Sequence, residues 1–176
     1  MEQIEVPIRR VRPERDADIA LPQAMTPLSA GVDLPAAIEE DVSLAPGERR
    51  AIPTGFAIAL PSGYEGQVRP RSGLALRSGI TVVNAPGTVD ADYRGEVQVI
   101  LINLGEAPVT IRRGDRVAQL IVAPIVRPDW IEVDGLPESR RGGGGFGHTG
   151  PHSPVARQSS VGEAPDPTGS GGRQES

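Results

Sequence analysis

The sequence predicts an all-β domain, a sandwich or a barrel, across residues 5–133, on three observations. Short apolar or alternating runs rich in Val and Ile recur along that whole stretch. Turn signals built on Gly, Pro and Asp interrupt them about every 8–12 residues, the rhythm of sandwiches and barrels. Strands and helices do not alternate, which removes the α/β nucleotide-binding folds.

Taken in order, the first expected strand is Glu5–Val11. Ala45-Pro46-Gly47 announces the strand Arg49–Pro53, and Pro61-Ser62-Gly63 separates Phe56–Leu60 from Tyr64–Arg69. Ser72–Ser78 is the one plausible helix, and it is short. Ala85-Pro86-Gly87 is a strong turn ahead of the strand Gly95–Asn103. Arg113-Gly114-Asp115 divides Val109–Arg112 from Arg116–Val126. After Gly142 the composition changes abruptly: Gly142–Gly147 is nearly all glycine, and 151–176 mixes Ser, Gly, Pro and acids without periodicity. The expected organisation is therefore a β domain over 1–139, a Gly-rich arm over 140–150 and a disordered tail over 151–176.

Composition narrows the chemistry. A chain of 176 residues can bury a real core, although its hydrophobic share is a modest 38%. No apolar run reaches the length of a membrane span and the N-terminus lacks a signal peptide's apolar region, so the expected location is the cytoplasm, away from membranes. The net charge of −5 argues against broad nucleic-acid binding, while leaving room for a local arginine site for a small phosphate ligand. All 18 basic residues are Arg, so a Schiff base and a phosphate-loop lysine are both excluded. Cysteine is absent, which excludes disulfides and thiolate-ligated metals. The two histidines, His148 and His152, lie in the Gly/Pro-rich region. A general base within the β domain is then Asp or Glu.

The glycine-rich stretch offers two false leads. Gly142, Gly144 and Gly147 fit the dinucleotide-binding glycine pattern, and Gly142 to Thr149 misses the phosphate-loop pattern by His148 in place of Lys. Neither has the required strand before it or helix after it, because Gly150-Pro151 breaks the chain. What remains is an arm carrying Arg141 and Phe146. It reads either as a linker or as a lid in which Arg141 grips an anion and Phe146 stacks on a planar ring.

Five separated segments carry a family resemblance. They are Ala30-Gly31-Val32-Asp33-Leu34, Pro70-Arg71-Ser72-Gly73-Leu74-Ala75, Gly87-Thr88-Val89-Asp90-Ala91-Asp92-Tyr93-Arg94-Gly95, Gly114-Asp115-Arg116-Val117-Ala118-Gln119-Leu120, and the arm from Arg141 to Gly150. In this order, over most of residues 25–150, they resemble the trimeric dUTPase family; position 148 is His where many members have Ser. The resemblance implies a jelly-roll-like β-barrel that forms a homotrimer with shared active sites. It also implies hydrolysis of dUTP to dUMP and pyrophosphate with Mg²⁺, which keeps uracil out of DNA and supplies dUMP for thymidylate synthesis.

Residue roles follow from the same resemblance. Asp90, which alone reads as a turn residue, would hold the attacking water. Tyr93, otherwise an ordinary half-buried strand tyrosine, would stack under the deoxyribose and leave no room for a 2′-hydroxyl. Asn84, equally a turn asparagine, lies in a segment whose backbone would read uracil in a hairpin. Thr88, Val89 and Gln98 occupy ligand-contact positions beside it. Arg71, otherwise a surface ion-pair residue, would bind phosphate together with Ser72, Gly73 and Gln119. Arg116 would pair with Asp33 as a brace. Arg141 and Phe146 would close over the nucleotide. Mg²⁺ would ride mainly on triphosphate oxygens and water, with no protein ligand named. Two other readings share the fold: a dCTP deaminase, disfavoured by the third motif and the Phe-bearing arm, and a binding protein that has lost catalysis.

Overall fold

A computed structural model describes residues 3–145 of the chain. Its strands are β1 (Ile8–Arg10), β2 (Val32–Pro35), β3 (Val42–Leu44), β4 (Arg49–Pro53), β5 (Phe56–Ile58), β6 (Tyr64–Arg69), β7 (Ile80–Val82), β8 (Gly87–Val89), β9 (Gln98–Asn103), β10 (Val109–Ile111) and β11 (Arg116–Pro124). One helix, α1 (Ser72–Ser78), interrupts them between β6 and β7. The strands form four small sheets, in the orders β1-β5, β10-β3, β2-β11-β6-β8 and β4-β9-β7. All the strand pairs are antiparallel. The expected all-β class is what the chain adopts.

The core follows from strand alternation. Along β9, Val99, Leu101 and Asn103 point inward, while Gln98 and Ile100 stay exposed. Leu34, Ile52, Val68, Ile80, Val82, Ile111, Val117 and Leu120 join Val99 and Leu101 in one buried cluster. Each large side chain so buried contributes about 1.5–3 kcal/mol relative to exposure. The buried Asn103 is satisfied three times: it donates to the Leu44 carbonyl at 2.9 Å and the Ala107 carbonyl at 2.8 Å, and accepts the Gly105 N–H at 2.8 Å.

A second, polar anchor holds the chain before β2. Asp16 is fully buried. Its carboxylate accepts from Arg12 at 3.1 Å, Arg15 at 2.8 Å and Arg113 at 3.2 Å. Burial alone pushes its pKa up, but the hydrogen bonds from Arg15 and Arg113 outweigh that, and the net shift is downward.

Helix α1 buries none of its side chains. It ends at Gly79, left-handed at φ 67°, whose N–H returns to the Ala75 carbonyl. A Cβ there would lie 2.3 Å from the Gly105 nitrogen, so both conformation and space demand glycine.

β4, β6 and α1 keep their expected bounds, whereas β1, β5, β9, β10 and β11 are shorter than expected. The sequence reading did not name β2, β3, β7 and β8. Each has only three or four residues, too short for a pattern to stand out, and two of them include Gly, Pro or Asp. The chain divides into two units between Asp129 and Trp130. Among the described residues, no helix is long and apolar enough to cross a membrane.

Candidate active site

Strand β6 orders the site residues. β11 pairs with it so that Gln119 lies opposite Arg69, and β2 pairs with β11 so that Asp33 lies opposite Gln119. Just past the end of β6, Pro70 and Arg71 lead into α1. The consequence is a cluster in which Asp33 is the hub. Its carboxylate takes Arg116 at 2.9 Å and Arg71 at 3.1 Å. Arg71 also donates to the Arg116 carbonyl at 2.8 Å, and Gln119 donates to the Pro70 carbonyl at 2.9 Å. The Asp33–Arg116 ion pair is present, and Arg71 joins it.

Ser72 and Gly73 open α1, where first-turn N–H groups have no intrahelical acceptor. The guanidinium of Arg77 folds back over Gly73, about 3.1 Å from where a Cβ would stand. Arg77 escaped the sequence reading. Its four-residue spacing from Gly73 on a helix was the available signal.

Asp90 sits at the other end of β6. β8 pairs with β6 through Gly66 opposite Val89, so Asp90, the next residue, falls beside Glu65. Both line a cleft of about 510 Å³, with Asp92, Arg94 and Arg127 also on its walls. The Asp90 side chain is exposed, and its carbonyl accepts the Tyr93 N–H at 3.1 Å. Arg94 staples this turn by donating to the Ala91 carbonyl at 2.6 Å and the Tyr93 carbonyl at 2.8 Å. Position 65 to position 71 spans about 20 Å of extended chain, at about 3.3 Å per residue. One chain therefore does not bring Asp90 to the Arg71–Gln119 cluster.

The remaining predicted residues fall in three places. Thr88 is exposed on β8, but the Val89 side chain is only 7% exposed and packs in the core. Any ligand contact at Val89 therefore comes from its backbone. Asn84 lies exposed between β7, which pairs with β9, and β8, which pairs with β6. The segment expected in a hairpin thus crosses from one sheet to another, with the Val83 N–H bound to the Ile100 carbonyl at 2.9 Å. Gln98 opens β9, exposed. Arg141 is exposed, and its Nε donates to the Gly144 carbonyl at 2.7 Å within a short turn. Phe146 lies outside the described residues.

A barrel of short strands with an arginine–glutamine cluster at one end of a strand and a carboxylate loop at the other defines a class. It is a small β-barrel with an arginine-rich cluster at one place and an acidic cleft at another. The comparisons with known proteins are specific. The model of the dUTPase family matches residues 17–150, and the chain belongs to that family. The deoxyuridine 5′-triphosphate nucleotidohydrolase of Anaeromyxobacter sp. (strain Fw109-5) is 56% identical over 147 residues, covering 84% of this chain and 98% of the relative. The protein of the same name from Desulfotalea psychrophila is 58% identical over 132 residues, 75% of this chain and 88% of the relative. Among solved structures, the Staphylococcus bacteriophage 80alpha dUTPase with dUPNHPP superimposes with a TM-score of 0.71 at 26% identity. That match covers 84% of this chain and 99% of the phage chain. A mutant of the same phage enzyme with dUpNHpp gives a TM-score of 0.75 at 24% identity, with the same coverage.

Proposed function

We propose that this chain hydrolyses dUTP to dUMP and pyrophosphate in active sites shared between the subunits of a homotrimer. Asp90 holds and deprotonates a water in line with the α-phosphorus. The water oxygen bonds to that phosphorus as the bond to the bridging oxygen breaks, and pyrophosphate leaves. Arg71, Gln119 and the Ser72–Gly73 backbone take up the charge on the phosphate chain, the larger part of the catalytic task in such transfers. Mg²⁺ would be held by the substrate's phosphates and water rather than by a named residue of this chain, and would offset phosphate charge there. Tyr93 lies under the sugar, and the backbone from Asn84 to Val89, with Gln98, reads uracil. Arg141 and Phe146 belong to the arm that closes over the bound nucleotide. The cytoplasm, where deoxynucleotides are made, is the proposed location.

One observation carries the shared site. Asp90 and the Arg71–Gln119 cluster lie at opposite ends of β6, a separation that supports a triphosphate held between two copies rather than within one. A further support for self-association is the outward face of β9, the central strand of its sheet, where Ile100 is 37% and Leu104, just past its end, 67% exposed.

Mixing two inactive variants tests this. Asp90→Asn alone should cut turnover by about 10²–10⁴-fold with binding retained, because Asn keeps size and reach but is a poor base. Gln119→Ala together with Arg71→Ala should be inactive through lost phosphate binding. Refolded together in equal amounts, they should recover about a quarter of wild-type activity, since random assembly makes one site in four intact on both sides. No recovery on mixing would place each site within one chain.

A further inference from the structure

The Tyr93 ring sits on the surface, 44% exposed, yet it is tied down at two points. Its Oη donates to the Glu96 carbonyl at 2.9 Å. Its ring lies against Gly95 so closely that a Cβ there would stand 2.4 Å from Oη and 2.6 Å from Cζ. Exposed side chains otherwise change rotamer within nanoseconds.

The residue that accepts the hydroxyl is itself anchored. The Glu96 side chain, 12% exposed, takes a forked pair of hydrogen bonds from Arg12 at 2.8 and 2.5 Å. It also accepts the Gly55 N–H at 2.8 Å. Arg12 in turn holds the buried Asp16 through Nε at 3.1 Å. A forked arginine–carboxylate pair fixes direction as well as distance. At the other end of the loop, the Tyr93 N–H binds the Asp90 carbonyl and Arg94 staples the turn. The ring is thus connected through Gly95 and Glu96 to the Asp16 anchor.

We propose that Gly95, Glu96 and Arg12 are positioning residues that set the height and stiffness of the Tyr93 ring, and so the rejection of ribonucleotides. The inference rests on the reading of Tyr93 as the wall beneath the sugar. Hydrogen and hydroxyl at the 2′ carbon differ by one small group, and a steric wall discriminates between them only if it does not yield. A ring free to tilt would admit the hydroxyl. Neither Gly95, Glu96 nor Arg12 reaches the nucleotide in this account; each acts through the tyrosine.

The test uses the full chain with Mg²⁺, measuring kcat/KM separately for dUTP and UTP, with melting recorded for each variant. Gly95→Ala forces the ring to move and should raise the UTP/dUTP ratio about tenfold, the scale of one methyl-sized change in a fitted pocket. Tyr93→Phe keeps the ring but loses the tether, and should raise the ratio by a few-fold. Glu96→Gln keeps an acceptor for the Gly55 N–H but weakens the fork, and should act in the same direction. Arg12→Lys should preserve the ratio better than Arg12→Gln, because a cation remains. A general loss of stability lowers activity on both nucleotides alike and leaves the ratio unmoved. If Tyr93→Ala raises the ratio while Gly95→Ala, Tyr93→Phe and Glu96→Gln leave it within twofold of wild type, the clamp is refuted and the sugar wall stands. If Tyr93→Ala leaves the ratio unchanged, the wall reading falls and the clamp falls with it. Should Gly95→Ala fail to fold, Tyr93→Phe and Glu96→Gln decide the matter alone.

Discussion

Asp16 and Asp33 are both carboxylates held between arginines, and they stand in opposite relations to solvent. Asp16 meets Arg12, Arg15 and Arg113 with its side chain 1% exposed. The three arginines also reach past it, Arg15 to the Ala37 carbonyl and Arg113 to the Ile38 carbonyl, so every charge in the cluster has several partners. Among the described residues Asp33 meets only Arg71 and Arg116, with its side chain 15% and theirs 28% and 47% exposed. Asp16 is sealed from water while its arginines are 27–32% exposed, so it cannot lose those donors without leaving a buried carboxylate short of partners. A half-open cluster can trade a carboxylate partner for an incoming anion. The same residue types therefore secure the fold at one place and, in the proposed function, hold a binding surface ready at the other.

The largest expected effect separates the two clusters by stability. Asp16→Asn should cost about 1–3 kcal/mol, since it turns a buried amide toward donors of three arginines and removes their shared acceptor charge. Urea unfolding measures this; a loss below 1 kcal/mol would erase the distinction between the clusters. Asp33→Asn should reverse the pattern, changing stability by about 0–1 kcal/mol, as for exposed pairs. Its cost should appear in kcat/KM for dUTP, lowered about 10–100-fold because Arg71 and Arg116 lose their registration and small misplacements are expensive. Unchanged kinetics would make the Asp33 cluster a surface ornament.

Acid should expose a smaller part of the Asp16 contribution. Its folded pKa lies below the ordinary carboxylate value, so its stabilisation is complete above the unfolded pKa of about 3.9 and is lost as pH falls through the folded value. Asp18, lowered chiefly by its hydrogen bond from Arg113, acts in the same direction. Melting temperature should fall below about pH 4 in the wild type, and more shallowly in Asp16→Asn. Equal slopes would assign the acid sensitivity to other carboxylates. The smallest effect belongs to Arg116→Lys, which should raise KM about two- to fivefold, because an ammonium keeps the charge but not the planar geometry by which Arg116 Nη1 meets Asp33 Oδ2. A KM equal to that of the wild type would show that charge alone suffices at this position.

Legibility in the sequence tracked how local each feature is. The helix Ser72–Ser78 and the strands Arg49–Pro53 and Tyr64–Arg69 were readable to the residue, because turn signals bound them closely. β8 was not, since Gly87-Thr88-Val89 is a strand only by virtue of its partner β6. The Asp33–Arg116 brace was legible through the family resemblance. The third member, Arg71, was not seen there, because it arrives from a different strand end. Glu96 and Arg12 escaped notice altogether: 84 positions separate them in the chain, and no local pattern marks such a pair.

The sequence by itself determined the all-β class, through its short Val/Ile runs and frequent turns, and the kind of base available, through the absence of Cys and the confinement of both His to the region after Gly147. Composition and local spacing are properties of the chain before it folds, so no tertiary knowledge was needed. Only the tertiary structure decided where Asp90 stands relative to the arginine–glutamine cluster. The register of β8 on β6 places it at the far end of that strand, opposite Glu65 rather than near Arg71. Register between strands is set by the summed burial and hydrogen bonding of both partners, and a one-residue slip would turn Gly87 and Val89 out of the core and Thr88 into it.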